Sequence, residues 1–196
     1  MPLLKLIVLL SFCAASAWAQ DETYTFGTTV VIPSGLRGEI YNLSHRTKRL
    51  PDFRKRKSVG TIYTTSLNVP PQEFDRGFPG VTERFEWFAI DFAGRFWIQN
   101  PGDYSFSLTS DDGSKLYLDN RLVIDNDGTH PAETKSATVN LDGGIHDIRV
   151  SYFQGPRFHV ALMLQVARSG EPLRIFTTDE FKPPSDPSTW TYSVKK

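Results

Sequence analysis

Asp111 and Asp112 are adjacent carboxylates, flanked by Ser110 and Gly113, at the point where an alternating apolar and polar run ends. Neighbouring carboxylates repel, and in an extended trans chain they point to opposite faces. They can grip one cation together only where the backbone departs from that geometry. An oxygen-only set with two negative charges suits calcium, which takes ~6–8 oxygens and tolerates irregular arrangements. Further donors must then come from another loop. The plainer alternative is a polar turn closed by Gly113. A second acidic cluster, Asp125-Asn126-Asp127-Gly128, has Val123 where an EF-hand requires its first aspartate, so it fails as that motif.

Catalytic signatures are absent from the sequence. It holds no Gly-x-Ser-x-Gly elbow, no His-Glu-x-x-His pair and no phosphate-cradling glycine loop. Of its four histidines, His146 and His159 sit in or beside strand-like runs and read as surface or packed strand residues rather than ligands. A glycosidase pair needs ~5–9 Å across a bound sugar ring, which adjacent aspartates sharing an ion do not provide. The chain is expected not to be an enzyme.

The elements that would position the aspartates are strands. Tyr104, Phe106 and Leu108 alternate with Ser105, Ser107 and Thr109, a half-buried strand leading into Asp111. Residues 116–118 and 122–124 predict a hairpin across Asp119-Asn120; 137–141 and 145–153 are joined by Asp142-Gly143-Gly144, and 160–166 predicts a last strand. Upstream, 26–40 and 59–63 read as short strands, separated by 46–57. That stretch holds Arg46, Lys48, Arg49, Arg54, Lys55, Arg56 and Lys57 and carries no apolar period. It reads as an exposed, mobile loop, with a docking patch for an acidic partner as the alternative. Val69-Pro70-Pro71 predicts a connection and Gly77-Phe78-Pro79-Gly80 a turn. In the aromatic stretch 85–97 both faces are apolar, as in a strand covered on two sides, so its rings are expected in the core. The whole predicts an all-β antiparallel sandwich or barrel, a single domain, with 169–196 as an extended C-terminal tail.

Residues 1–19, with Lys5, an apolar run over 3–15 and Ala17-Trp18-Ala19, read as a secretory signal cut after Ala19. The lipoprotein alternative, Leu10-Ser11-Phe12-Cys13, places bulky Phe12 where a small residue is needed. Cys13 is the sole cysteine, so the mature chain would carry no disulfide and no thiolate, which points to a bacterial exported protein, secreted or periplasmic. No later apolar run approaches the ~20 residues of a membrane span, so the mature chain is expected to be soluble. The 22 basic and 22 acidic residues cancel, which gives no bulk argument for nucleic acid or anionic lipid.

The run from Gly102 through Thr109-Ser110-Asp111-Asp112-Gly113-Ser114-Lys115-Leu116-Tyr117-Leu118-Asp119, then Leu122-Val123-Ile124-Asp125-Asn126, Gly144-Ile145-His146 and Val150-Ser151-Tyr152-Phe153-Gln154-Gly155, closely resembles the PA14 domain. The resemblance covers residues 34–168, and the aspartate pair with its Leu-Tyr-Leu-Asp strand is the most specific part. It implies a β-barrel or sandwich of the kind found in bacterial toxins, glycosidases and yeast adhesins. In sugar-binding members the paired aspartates, joined by a cis peptide, hold a calcium ion that binds sugar hydroxyls. Carried over, Asp111 and Asp112 would hold Ca2+ with the Gln154 side chain and the Pro156 and Phe158 carbonyls. The Pro156-Arg157-Phe158 loop departs from the standard one in the region that sets specificity, which places Arg157 among the ligand-binding candidates and leaves the sugar open. The expected function is a calcium-dependent, lectin-like or adhesin-like module for a glycan or cell-surface polysaccharide, not nucleic acid, working alone or beside a larger adhesin or enzyme. The alternative is a structural or protein-interaction module that binds no sugar.

Overall fold

The computed structural model describes residues 35–186 and 188, apart from Thr82 and Glu83. All of them fall within one compact unit, Val31–Lys196. The expected signal segment 1–19 and the first part of the run 26–40 lie outside the described residues. The described chain holds strands β1 (Leu36–Asn42), β2 (Gly60–Thr64), β3 (Asn68–Glu73), β4 (Phe88–Ile98), β5 (Gly102–Asp111), β6 (Ser114–Leu118), β7 (Arg121–Asn126), β8 (Glu133–Leu141), β9 (Gly144–Gln154), β10 (His159–Arg168) and β11 (Arg174–Ile175). Two three-residue 3-10 turns, Phe53–Lys55 and Phe74–Arg76, interrupt the strands.

Two antiparallel sheets face each other, as the alternation predicts. One runs β2-β1-β4-β9-β6-β7; the other runs β11-β10-β5-β8, with β3 on the same edge of β10 as β11. The inward side chains of β5 (Tyr104, Phe106, Leu108) meet those of β4 and β9 (Phe92, Phe96, Ile98, Ile148, Val150, Tyr152) in one core. Asp119 and Asn120, with φ of 49° and 63°, close the predicted β6–β7 hairpin in the backbone form that matches strand twist. In β4, Phe88, Ala89, Ile90 and Phe92 are all buried: Phe88 and Phe92 enter the main core, while Ala89 packs with Tyr41, Leu43 and Phe153 on the other face.

Four expectations are corrected. Val69-Pro70-Pro71 lies inside β3, an edge strand in which Pro70 and Pro71 fall at a register shift and need no ladder N–H. The chain from β8 to β9 changes sheets instead of folding back on itself, because each strand finds longer partners, β5 and β4. The 46–57 loop is not a free excursion: Leu50 and Phe53 pack against a second small cluster of Tyr41, Leu43, Ala89 and Phe153. Part of the expected extended C-terminal tail is a fold element. Residues 174–181 add β11 and insert Phe176, fully buried, and Phe181 into the main core, where they stack at 5.3 Å and meet Phe96 edge-on. Two aromatics ten and fifteen residues past the last predicted strand give no periodic signal, yet their burial is worth several kcal/mol.

Candidate functional site

Asp111 ends β5 and Ser114 begins β6, so Asp112 and Gly113 carry the chain from one sheet to the other. Gly113 is required by close approach: a Cβ there would lie 2.5 Å from the Phe153 ring and 2.7 Å from the Gly128 backbone nitrogen. The Asp111–Asp112 peptide is cis, as in the sugar-binding members the sequence resembles. Both aspartates are buried, at 7% and 3% exposure.

Two loops converge on them. Asp112 Oδ2 accepts from the Gly155 N–H at 2.7 Å and Oδ1 from the His130 N–H at 3.1 Å. Asp111 receives a backbone hydrogen bond from Ala132. Burial pushes the Asp112 carboxyl up to about 6, with the Asp111 charge adding to the shift and the two N–H donors opposing it. Burial raises Asp111 as well, against the charges of His159 and His130. Among the described residues neither aspartate forms an ion pair with Lys or Arg, and the hydrogen bonds to their carboxylates come from backbone N–H groups. His130 faces a carbonyl with each ring nitrogen, Pro131 O at 2.8 Å and Asn126 O at 3.0 Å. Burial works against its charge, but these carbonyls, with Glu133 and Asp112, outweigh it and raise its pKa.

Beneath the crossover the Tyr152 hydroxyl lies 2.7 Å from Asp111 O and 2.6 Å from Gln154 Oε1, and its single proton serves one of them at a time. Phe78 stacks on the Tyr152 ring and Phe88 meets it edge-on, which fixes its direction. Ser110, Ser114 and Asn126 form a buried polar group behind the pair, in which Asn126 Oδ1 has no hydrogen-bond partner.

The residues expected to complete a calcium shell are hydrogen-bonded within the protein. Gln154 is fully buried; its Oε1 faces Tyr152, and its Nε2 donates to His159 O at 2.9 Å and Pro156 O at 3.4 Å. Phe158 O accepts from the Phe74 N–H at 3.1 Å. Arg157 lies 3.3 Å from Glu86 and 5.8 Å from the Phe74 ring centroid. Phe158 itself is 74% exposed with φ of 126°. Among the described residues no three His, Cys, Asp or Glu side chains group as a metal cluster. The carboxylate pair fits a hard divalent ion in charge and donor type, and the oxygens of Gln154, Pro156 and Phe158 are each engaged in a hydrogen bond within the protein. Sequence reasoning missed the 127–132 loop. Its one signal was the Asp125-to-Gly128 cluster, which is not an EF-hand but leads into His130 and Ala132. His146 is a packed strand residue paired with Asp119 at 2.7 Å, and His159 is an exposed one beside Glu73 at 3.4 Å.

Residues 44–173 match the PA14 domain family. A curated relative, the anti-sigma-I factor RsgI3 of Acetivibrio thermocellus, is 27% identical over 139 residues, covering 69% of this chain and 19% of that protein. The chain thus spans about a fifth of that relative's length. Among solved structures, a PA14 sugar-binding domain from an RTX adhesin superposes with a TM-score of 0.60 at 17% identity, over 74% of this chain and 96% of the other. The A domain of epithelial adhesin 9 from Candida glabrata, in complex with Galb1-3GlcNAc, superposes at 0.53 with 12% identity, over 75% and 87%. At these identities the superpositions establish the fold.

Proposed function

The chain belongs to the PA14 domain family, and on that premise we propose that it is an exported, non-catalytic carbohydrate-recognition module whose ligand meets the Asp111–Asp112 mouth. One observation carries the reading: two adjacent buried carboxylates that no Lys or Arg among the described residues neutralises, with Asp112 held up to about 6. A purely structural turn gains nothing from burying two like charges side by side. A divalent cation, calcium by donor type, would relieve that repulsion and offer free coordination positions to vicinal sugar hydroxyls. Asp111 and Asp112 would hold it. Gly155 and His130 fix the orientation of Asp112, and Tyr152 and Gln154 fix the loop that forms the opposite rim. The glycan-binding adhesin domains among the similar structures support a cell-surface polysaccharide or glycan as partner.

A second reading, a protein-interaction module, is favoured by the inward Gln154, Pro156 and Phe158 oxygens, which leave the 156–158 loop to offer the Arg157 and Phe158 side chains instead. A glycan array probed with and without calcium separates the two. Binding that needs calcium and disappears in Asp111→Asn supports the carbohydrate reading; an array with no signal in calcium overturns it.

A further inference from the structure

We infer that the ligand of this module is an acidic glycan, whose carboxylates or sulfates lie along the 46–57 loop beside the aspartate mouth. The inference rests on the carbohydrate reading and adds the charge class of the glycan. The loop carries seven basic residues and one acidic residue in a chain whose 22 basic and 22 acidic residues cancel overall, so the rest of the chain is net acidic. All seven are exposed. Arg54 and Lys55 are answered by Asp52, whereas Arg46, Lys48, Arg49, Arg56 and Lys57 form no ion pair among the described residues.

An unanchored basic run spreads out in solvent and relieves its own repulsion; this one is fixed. Phe53 packs on Tyr41 at 5.0 Å between ring centroids, and Leu50 enters the same cluster. The Leu50 N–H donates to Asp127 Oδ1 at 2.8 Å, and Thr129 Oγ1 donates to Lys48 O at 3.5 Å. These bonds tie the basic loop to the 127–130 segment, which in turn holds Asp112 through the His130 N–H. One rim therefore joins the cations to the carboxylate pair. Below it runs a trough whose lining includes Asp52, Phe53, Arg54, Lys115, Tyr117 and Arg149, three cations to one carboxylate, in which the Arg149 guanidinium lies 4.1 Å over the Tyr117 ring. Like charges held in one place favour a polyanion that replaces several counterions at once. Single-stranded nucleic acid is disfavoured because the loop offers no stacking platform, Phe53, its one aromatic, being turned onto Tyr41; duplex DNA is an outcome of the test.

The test compares dextran sulfate and carboxymethyl dextran with unsubstituted dextran and with double-stranded DNA, in calcium-free buffer, by titration calorimetry. The protein is expected to bind the charged dextrans, to ignore the neutral one, and to lose affinity about tenfold or more between roughly 50 and 200 mM NaCl. The combined variant Lys48→Ser, Arg49→Ser, Lys57→Ser should bind at least about tenfold more weakly with a shallower salt slope, while Arg49→Lys, which keeps the charge, stays within about twofold. Asp111→Asn should retain the charged-dextran binding, since the cations are intact. Absence of binding to either charged dextran at low salt overturns the inference, as does DNA binding of equal strength. If binding survives the triple variant but is lost in Asp111→Asn, the anion is read at the aspartate mouth: the inference fails while the carbohydrate reading stands.

Discussion

The five-residue strand β6 has an aspartate at each end, and the two are treated in opposite ways. Asp119, after the strand, takes the His146 Nδ1 at 2.7 Å on one oxygen and the Asp147 N–H at 3.0 Å on the other, while His146 Nε2 meets Asp142 O at 2.9 Å. It is a pin that joins the β6–β7 turn and the β8–β9 turn to strand β9. Asp112, before the strand, is more deeply buried and is set beside a second carboxylate instead of a histidine ring. The same residue type in the same sheet thus serves as a closed structural bond at one end and as an unbalanced charge at the other. An unbalanced buried charge is kept where an outside partner completes it.

The largest test of this contrast breaks the pin. Asp119→Ala should cost about 2–4 kcal/mol, because it strands a buried imidazole and the Asp147 N–H. Denaturant unfolding should show that loss equally with and without calcium. At the other end, calcium at about a hundredfold excess over its dissociation constant should stabilise the parent protein by ~2.7 kcal/mol, a gain that Asp119→Ala keeps and Asp111→Asn loses. Asp111 is the cleaner site for this, since both Asp112 oxygens accept backbone N–H groups and an Asn there must turn its NH2 against one of them. A calcium gain that survives Asp111→Asn would return the aspartate pair to a structural role.

The pH dependence should sharpen the contrast further. Asp112 has a folded pKa of about 6, above its ordinary 3.8, so its protonated form is the one the fold prefers. Without divalent ions the stability it contributes is complete below about pH 4 and is lost as pH rises through 6, on the order of 2–3 kcal/mol at most. The raised pKa of His130 acts in the same direction, its contribution being lost as pH rises through the folded value. The calcium-free protein should therefore melt higher at pH 5 than at pH 7, and saturating calcium, which favours the ionised pair, should reverse the order. A melting temperature independent of pH over that range in calcium-free buffer would contradict the burial of Asp112.

The smallest effect belongs to the rim. Phe158 holds φ of 126° while 74% exposed, so Phe158→Gly should raise stability by about 1 kcal/mol or less through relief of backbone strain. Its glycan affinity should nevertheless fall, as measured on the strongest array ligand. Stability and affinity moving together in the same direction would mean that the loop is a fold element rather than a contact surface.

The sequence by itself determined the period-two strands, the β6–β7 hairpin and the aspartate pair, because alternation and turn chemistry act over a few residues and leave a local record. Tertiary structure alone decided what surrounds the pair. The β8-to-β9 change of sheet depends on which partner offers the longer ladder, and the seating of Phe176 and Phe181 depends on room left between the sheets. Leu50 and Phe53 turn a charged run into a fixed rim because a cluster on the far face of β4 accepts them. The orientation of Gln154 was settled by its neighbours: the Tyr152 hydroxyl on one side and the Pro156 and His159 carbonyls on the other leave its amide one satisfied direction, inward. A side chain whose partners come from its own strand, the loop beyond it and the next strand has no single window of sequence in which its direction is written.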